Sequence, residues 1–207
     1  MGFMDGLFAR LYPSIIKTSE EKWLRAMRAE LVGGLSGDVL EIGAGTGLNL
    51  PHYGPEVSSI TLTEASEHMM RRLEEVAAAA RPDARLVLSP AESLPVPDDS
   101  VDHVVSTLVL CSVDDPGRVL AEVRRVLRPG GGFHLIEHVA GKGKLLRWQR
   151  RAEPVTRFIG RGCHVTRNTR ATLESAGFDT DDVKDFWSKH EPKIYAPHIV
   201  GTARPVG

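Results

Sequence analysis

Apolar residues recur at two spacings along the chain, and the alternation between them lays out a fold. Near the amino end, Phe3, Met4, Leu7, Phe8 and Leu11 stand three and four apart, as on one face of a helix. A second helix is predicted from near Ser19 to about Val32. Glu20 and Glu21 fall in its first turn, where the helix dipole favours carboxylates; Trp23, Met27 and Leu31 form its apolar face, and Gly33-Gly34 stops it. Val39-Leu40-Glu41-Ile42 then flows into Gly43-Ala44-Gly45-Thr46-Gly47, which reads as a buried strand ending in a glycine-rich turn. A helix interrupted by Pro51 and Gly54 should follow. Ser59 to Thr63 alternates as a second strand and ends at Glu64, and Met69 to Ala80 has strong helix propensity. Arg85 to Leu88 is a third strand, and after the turn at Asp98-Asp99-Ser100, Val101 to Thr107 is a fourth. Val119, Leu120, Val123, Val126 and Leu127 repeat at helical spacing after Asp115-Pro116, and Phe133 to Val139 is a fifth strand beyond a glycine turn.

This strand and helix alternation is the doubly wound α/β pattern, a mostly parallel sheet with helices on both faces. Past Gly141 come a basic helical stretch from Lys142 to Arg161, a helix from Asn168 to Ala176 closed by Gly177, and two last strands, Val183 to Trp187 and His198 to Ala203. The expected organisation is a helical extension or lid at residues 1–37 and one α/β domain at residues 38–207. The stripe from Phe3 to Leu11 either packs on that domain, covering its site, or makes a weak membrane contact. Its polar face is not rich in Lys and Arg, which favours the first.

Composition narrows the picture. With 207 residues the chain has room for one domain with its own core, and 42% apolar and 26% charged residues are those of a soluble globular protein. A net charge of -1 argues against a nucleic-acid partner, which needs a basic surface, and the Lys and Arg of 142–161 read as a solvated face. Cys111 and Cys163 are the only cysteines, so a reducing compartment, the cytoplasm, is expected. The opening stretch breaks its apolar content with Asp5, Arg10, Pro13 and Lys17, unlike a signal peptide or membrane span.

The chemistry sits at strand ends. A glycine turn lets backbone approach a ligand closely, but the dinucleotide fingerprint wants Gly or Ala where Leu48 stands, which disfavours a nicotinamide cofactor. The form E-x-G-x-G-x-G resembles the turn of class I S-adenosylmethionine (SAM) methyltransferases. Glu64, about 20 residues past the turn, is where such folds hold a ribose diol; the alternative is a carboxylate in the first turn of the next helix. Together, LEIGAGTG, Glu64, SVDHVVSTLVLCSV and VLRPGG resemble that class over residues 38 to 139. TLVLCSV, EVRRVLRPGG, EHV, GC-x-V-T-R and PH-I-x-G extend the likeness to residue 203 and are similar to the methyltransferase-like seven family, whose vertebrate members are thiol S-methyltransferases. That family's long apolar anchor at the amino end is missing here.

The resemblance implies the class I Rossmann-like fold with a seven-stranded sheet, SAM as cofactor with S-adenosylhomocysteine as product, and methyl transfer to a small-molecule acceptor, a thiol above others. It implies that Gly43, Gly45 and Gly47 face the methionine part, that Glu41 orients its amino group through the turn, and that Glu64 takes the ribose. Thr107 and Leu108 would flank the methionine tail. Pro90 replaces the acid that such loops direct at the adenine amino group, leaving the backbone of Ala91 and the side chain of Glu92 for that task. A thiol is only a few per cent thiolate near neutral pH, so a base is useful, and His138 at the carboxyl end of the fifth strand is the candidate. Its alternative is a hydrogen-bonded core histidine. Cys111 either lines the pocket or is a small buried hydrophobe. Cys163-His164 and the distant His198 lack paired zinc spacing, so no metal is expected. Arg167 meets an anionic group or caps a surface. The rival functions are a phospholipid headgroup or other amine N-methyltransferase and a SAM-binding regulator that transfers nothing; the sequence does not set the oligomeric state.

Overall fold

The computed structural model describes residues 3–160 and 162–206, with side chains left undescribed at 3–5, 7–9, 13 and 159. The chain opens with α1 (Phe3–Ser19), which passes through a π-helical turn at Glu20–Leu24 into α2 (Arg25–Val32). Two separate helices were expected. They are joined because Ser19 is itself helical and caps nothing; its hydroxyl instead donates to Glu191 Oε1 at 2.8 Å, a distant contact that overrides the local start signal. The widened π turn buries Glu20, Trp23 and Leu24.

Then follow β1 (Gly37–Ile42), β2 (Val57–Glu64), α3 (Glu67–Ala80), β3 (Arg85–Leu88), β4 (Val101–Thr107), α4 (Pro116–Val126) and β5 (Leu127–His138). The last third holds α5 (Lys144–Ile159), α6 (Thr169–Ser175), β6 (Phe178–Asp179), β7 (Val183–Trp187) and β8 (Pro197–Pro205). Side chains of Ser66, Asp115 and Asn168 accept backbone N–H bonds at the starts of α3, α4 and α6.

The sheet order is β3-β2-β1-β4-β5-β8-β6, with β7 also on β8. Strands β1 to β5 are parallel and β8 runs antiparallel to β5. Eight strands replace the seven expected. The difference is the two-residue β6: β8 spans nine residues, enough for its outer edge to pair with β7 and then, at Arg204 and Pro205, with β6. The expected helix after the glycine turn is reduced to a 3₁₀ turn at Leu50–His52, because Pro51 and Gly54 leave no length to propagate an α-helix.

Alternate residues of the buried strands feed two cores. Leu40, Val104, Phe133 and Leu135 pack with Val119, Leu120 and Val123 of α4, whereas Val39, Ile60, Leu62 and Val105 pack with Met70, Leu73 and Ala77 of α3. The strand order reverses between β1 and β4, and the crevice at such a reversal, beyond the carboxyl ends of the strands, is where these sheets bind ligands.

Candidate active site

A cavity of about 660 Å³ opens at that reversal. Gly43 and Gly45 after β1, Glu64 ending β2, Thr107 ending β4 with Leu108 after it, and His138 ending β5 all line it. Tyr12, Ile15, Ile16 and Ser19 of α1 form a further wall, and Cys111, Cys163, Glu191 and Tyr195 complete the part around His138. Glu64 and His138 end strands three spacings apart, about 14 Å at about 4.8 Å per spacing.

The glycine turn is built to admit a ligand. Gly43 and Gly45 have φ of 58° and 60°, in the left-handed region where a side chain is strained. A Cβ on Gly43 would stand 2.7 Å from Val109 Cγ2, while one on Gly45 would meet only the Gly43 carbonyl at 4.0 Å and would fill the cavity itself. Glu64 Oε2 accepts the Gly45 N–H at 2.9 Å and Oε1 the Ser66 N–H at 2.8 Å. Burial pushes its pKa up, against the backbone N–H groups of Ser66, Gly45 and Ala65. Each oxygen keeps acceptor capacity for a diol. Open backbone beside a carboxylate with free lone pairs fits a nucleoside that carries an amino-acid tail, such as SAM.

Other predicted residues stand back from this wall. Glu41 is buried beneath the turn, accepting from Asn49 Nδ2 at 3.0 Å and Tyr53 Oη at 2.7 Å, and burial raises its pKa to about 7. Asn49 also donates to Thr107 Oγ1 at 3.1 Å and accepts from Arg28 Nη1 at 2.9 Å, while Arg28 Nε donates to Glu20 at 2.9 Å. A buried polar chain therefore ties the amino-terminal helix to the ends of β1 and β4. Gly47 packs against Leu50, Leu73 and Val76 rather than the cavity. Ala91 belongs to the α4-side core, and Glu92 Oε1 accepts the Asp114 N–H at 3.2 Å; neither is among the residues lining the cavity.

Around His138 the fold assembles what sequence spacing did not suggest. Cys163 Sγ and Cys111 Sγ lie 3.6 and 3.8 Å from His138 Nδ1. The Cys111 thiol, then the imidazole, holds the Cys163 thiol down to about 5 against burial, and the neighbouring Cys163 sulfur, then burial, pushes Cys111 well up. Burial opposes charge on His138, but Cys163 and Glu191 outweigh it and raise its pKa. On the other side of the ring, His138 Nε2 faces Glu191 Oε2 at 3.9 Å. His198, opposite His138 in the β5–β8 register, is held neutral by burial, its pKa near 3.

Two residues set this geometry: Glu137, passed over in the sequence, and Arg167, left there between meeting an anionic group and capping a surface. Glu137, wholly buried, accepts from Ser106 Oγ and from the N–H groups of Val109, Leu110 and Cys111 at 2.8 to 3.1 Å, which fixes the loop after β4. An acid inside the apolar run Phe133 to Val139 was its one signal. Arg167 donates to the carbonyls of Leu110 and Val113, so its guanidinium holds that loop from the other side. Among the described residues, no helix is long and apolar enough to cross a membrane.

Comparison with known proteins agrees with this arrangement. Residues 40–135 match a family model described as a methyltransferase domain. The human thiol S-methyltransferase TMT1B is 38% identical over 95% of this chain and 84% of its own length. A phosphatidylethanolamine N-methyltransferase of Cereibacter sphaeroides is 36% identical over 58% of this chain and 61% of its own. A crystal structure of a putative methyltransferase from Bacillus halodurans superposes with a TM-score of 0.73 at 18% identity, covering 87% of this chain and all of that one.

Proposed function

The chain belongs to the SAM-dependent methyltransferases, in the family of the thiol S-methyltransferases, and on that premise we propose that it methylates a small-molecule thiol. The observation that carries this reading is one cavity joining the glycine turn and Glu64 to His138. SAM would supply an electrophilic methyl group on a sulfonium. Gly43 and Gly45 would admit its methionine part, Glu64 would accept from the ribose hydroxyls, and Thr107 and Leu108 would border the tail. Glu41 would act from below, by holding Asn49 and thereby the turn. Gly47 would serve the turn through packing, and Ala91 and Glu92 would shape the adenine loop from outside the wall.

His138 stands where the acceptor would approach, and favouring the thiolate of the acceptor is its role in this reading. Apolar side chains of α1 along the cavity support residues 1–37 as a cover that excludes water, so that alignment of acceptor and methyl supplies much of the catalysis. Both cysteines are buried and unbridged, which supports a reducing, cytoplasmic setting.

The test is to incubate the protein with methyl-labelled SAM and, in parallel, alkyl thiols, hydrogen sulfide and phosphatidylethanolamine vesicles. Label should enter thioether, and His138→Ala should lower turnover about 100-fold or more with SAM affinity nearly unchanged. Label in lipid alone would replace the thiol reading with the amine one, to which the likeness to the Cereibacter enzyme points. SAM binding with no product in any arm would leave a regulator that transfers nothing.

A further inference from the structure

The Cys111, His138 and Cys163 cluster has the geometry of a metal site open on one side. With zinc–sulfur bonds of about 2.3 Å and a zinc–nitrogen bond of about 2.05 Å, tetrahedral angles separate sulfur from nitrogen by about 3.6 Å. The sulfurs stand 3.6 and 3.8 Å from His138 Nδ1, and the three ligand atoms fall within 4.8 Å of one another. One ring nitrogen can direct its single proton or lone pair at only one of two sulfurs, whereas a cation at the centre engages all three atoms. Thiolate and imidazole together select zinc among the common divalent ions.

The backbone holds these ligands in place. His138 ends β5; Cys111 sits in the loop pinned by Glu137 and Arg167; Cys163 is drawn to it by the bond from His164 N–H to the Cys111 carbonyl at 2.7 Å. A metal-bound imidazole presents its other N–H outward, commonly to a carboxylate. Glu191 Oε2, 3.9 Å from His138 Nε2, is a buried oxygen with no hydrogen-bond partner, and its other oxygen is fixed by Ser19. His198 Nε2, likewise buried and without a partner, lies 3.6 Å from the same oxygen. All three ligand residues line the cavity, so the fourth position faces the space where an acceptor would enter.

We propose that Cys111, Cys163 and His138 bind a zinc ion whose fourth ligand is the sulfur of the thiol acceptor; the second half of this proposal rests on the thiol reading above. A thiol coordinated to zinc is deprotonated outright, its proton passing to solvent, which removes the shortage of thiolate at neutral pH. The two protein thiolates balance the charge of the ion, and the neutral thioether product is a weaker ligand than the thiolate, so it departs. In this arrangement His138 is a ligand rather than a base, and Glu191 is a positioning residue.

The test uses the full chain, kept reduced and purified without chelator. Elemental analysis should find about one zinc per chain, a stoichiometry set by one closed set of three ligands. Cobalt(II) put in place of zinc should give the visible spectrum of a tetrahedral ion with sulfur-to-metal charge transfer, and 2-mercaptoethanol should strengthen that band. Cys163→Ser and Cys111→Ser should each weaken the metal at least about 100-fold, and Glu191→Gln about 10- to 100-fold. The cobalt spectrum is read on the unaltered protein, so it does not depend on any variant folding. Absence of metal and of a cobalt spectrum from the reduced protein overturns the proposal, and so does full metal content in a Cys111→Ser/Cys163→Ser double variant. Undiminished thiol methylation by metal-free protein overturns the role of the metal and leaves the thiol reading standing. Zinc at full occupancy with no thiol product from any thiol overturns the acceptor as fourth ligand together with the thiol reading.

Discussion

Replacing Glu64 by glutamine keeps the side chain's shape while converting one oxygen into a donor. In the structure the carboxylate already accepts N–H bonds from Gly45 and Ser66, so the proposed ribose diol would take the remaining lone pairs. The amide nitrogen of Glu64→Gln must face either one of those N–H groups or a hydroxyl, and at least one acceptor role is lost. A hydrogen bond to a charged group contributes about 1.5–3 kcal/mol, so S-adenosylhomocysteine should bind about 10- to 150-fold more weakly. Loss of affinity alone would not separate contact with the ribose from a loosened glycine turn, because Glu64 also ties that turn to β2. A double cycle does separate them: calorimetric titration of wild type and Glu64→Gln with S-adenosylhomocysteine and with its 2′-deoxy analogue. Turn damage reaches both ligands equally and cancels. Direct contact should leave a coupling of about 1 kcal/mol or more, and additivity within about 0.5 kcal/mol would show that Glu64 does not touch the ribose.

Two further outcomes rest on buried polar groups. Arg28→Ala should cost about 3–5 kcal/mol in chemical denaturation by leaving Glu20 buried and unpaired, and adding Glu20→Ala should recover a large part of it; a loss under about 1 kcal/mol would mean that this chain holds nothing together. His134 bonds to His103 at 3.0 Å and Thr202 at 2.9 Å, and burial lowers its pKa to about 3 from 6.5. The unfolded chain then binds the extra proton between those values, so stability is present above pH 6.5 and falls with pH below it, by about 2 kcal/mol at pH 5. Glu41, raised to about 7, slopes the other way, so the quantity to measure is the difference between wild type and His134→Gln from pH 7 to 5. A difference that stays flat would show that His134 accepts its proton in the fold.

The sequence by itself determined the sheet's parallel half and its glycine turn. Local rules suffice there: apolar runs and alternation for the strands, Asp115-Pro116 at the start of α4, and glycines where φ is positive. Glu64 was legible because the acid at the end of the second strand recurs at a set distance from the turn. Only the tertiary structure decided that Ser19 would bond Glu191 instead of starting a helix, and that β8 would be long enough to carry both β6 and β7. It also decided that Glu41 and Ala91 lie behind the wall while Glu137 and Arg167 clamp the loop after β4. The Cys111, His138 and Cys163 cluster belongs wholly to that second kind. Its members come from a strand end and two loops separated by about 25 residues each, distances at which sequence spacing carries no geometric information, and they meet because β5, the loop after β4 and the segment after α5 close on one point.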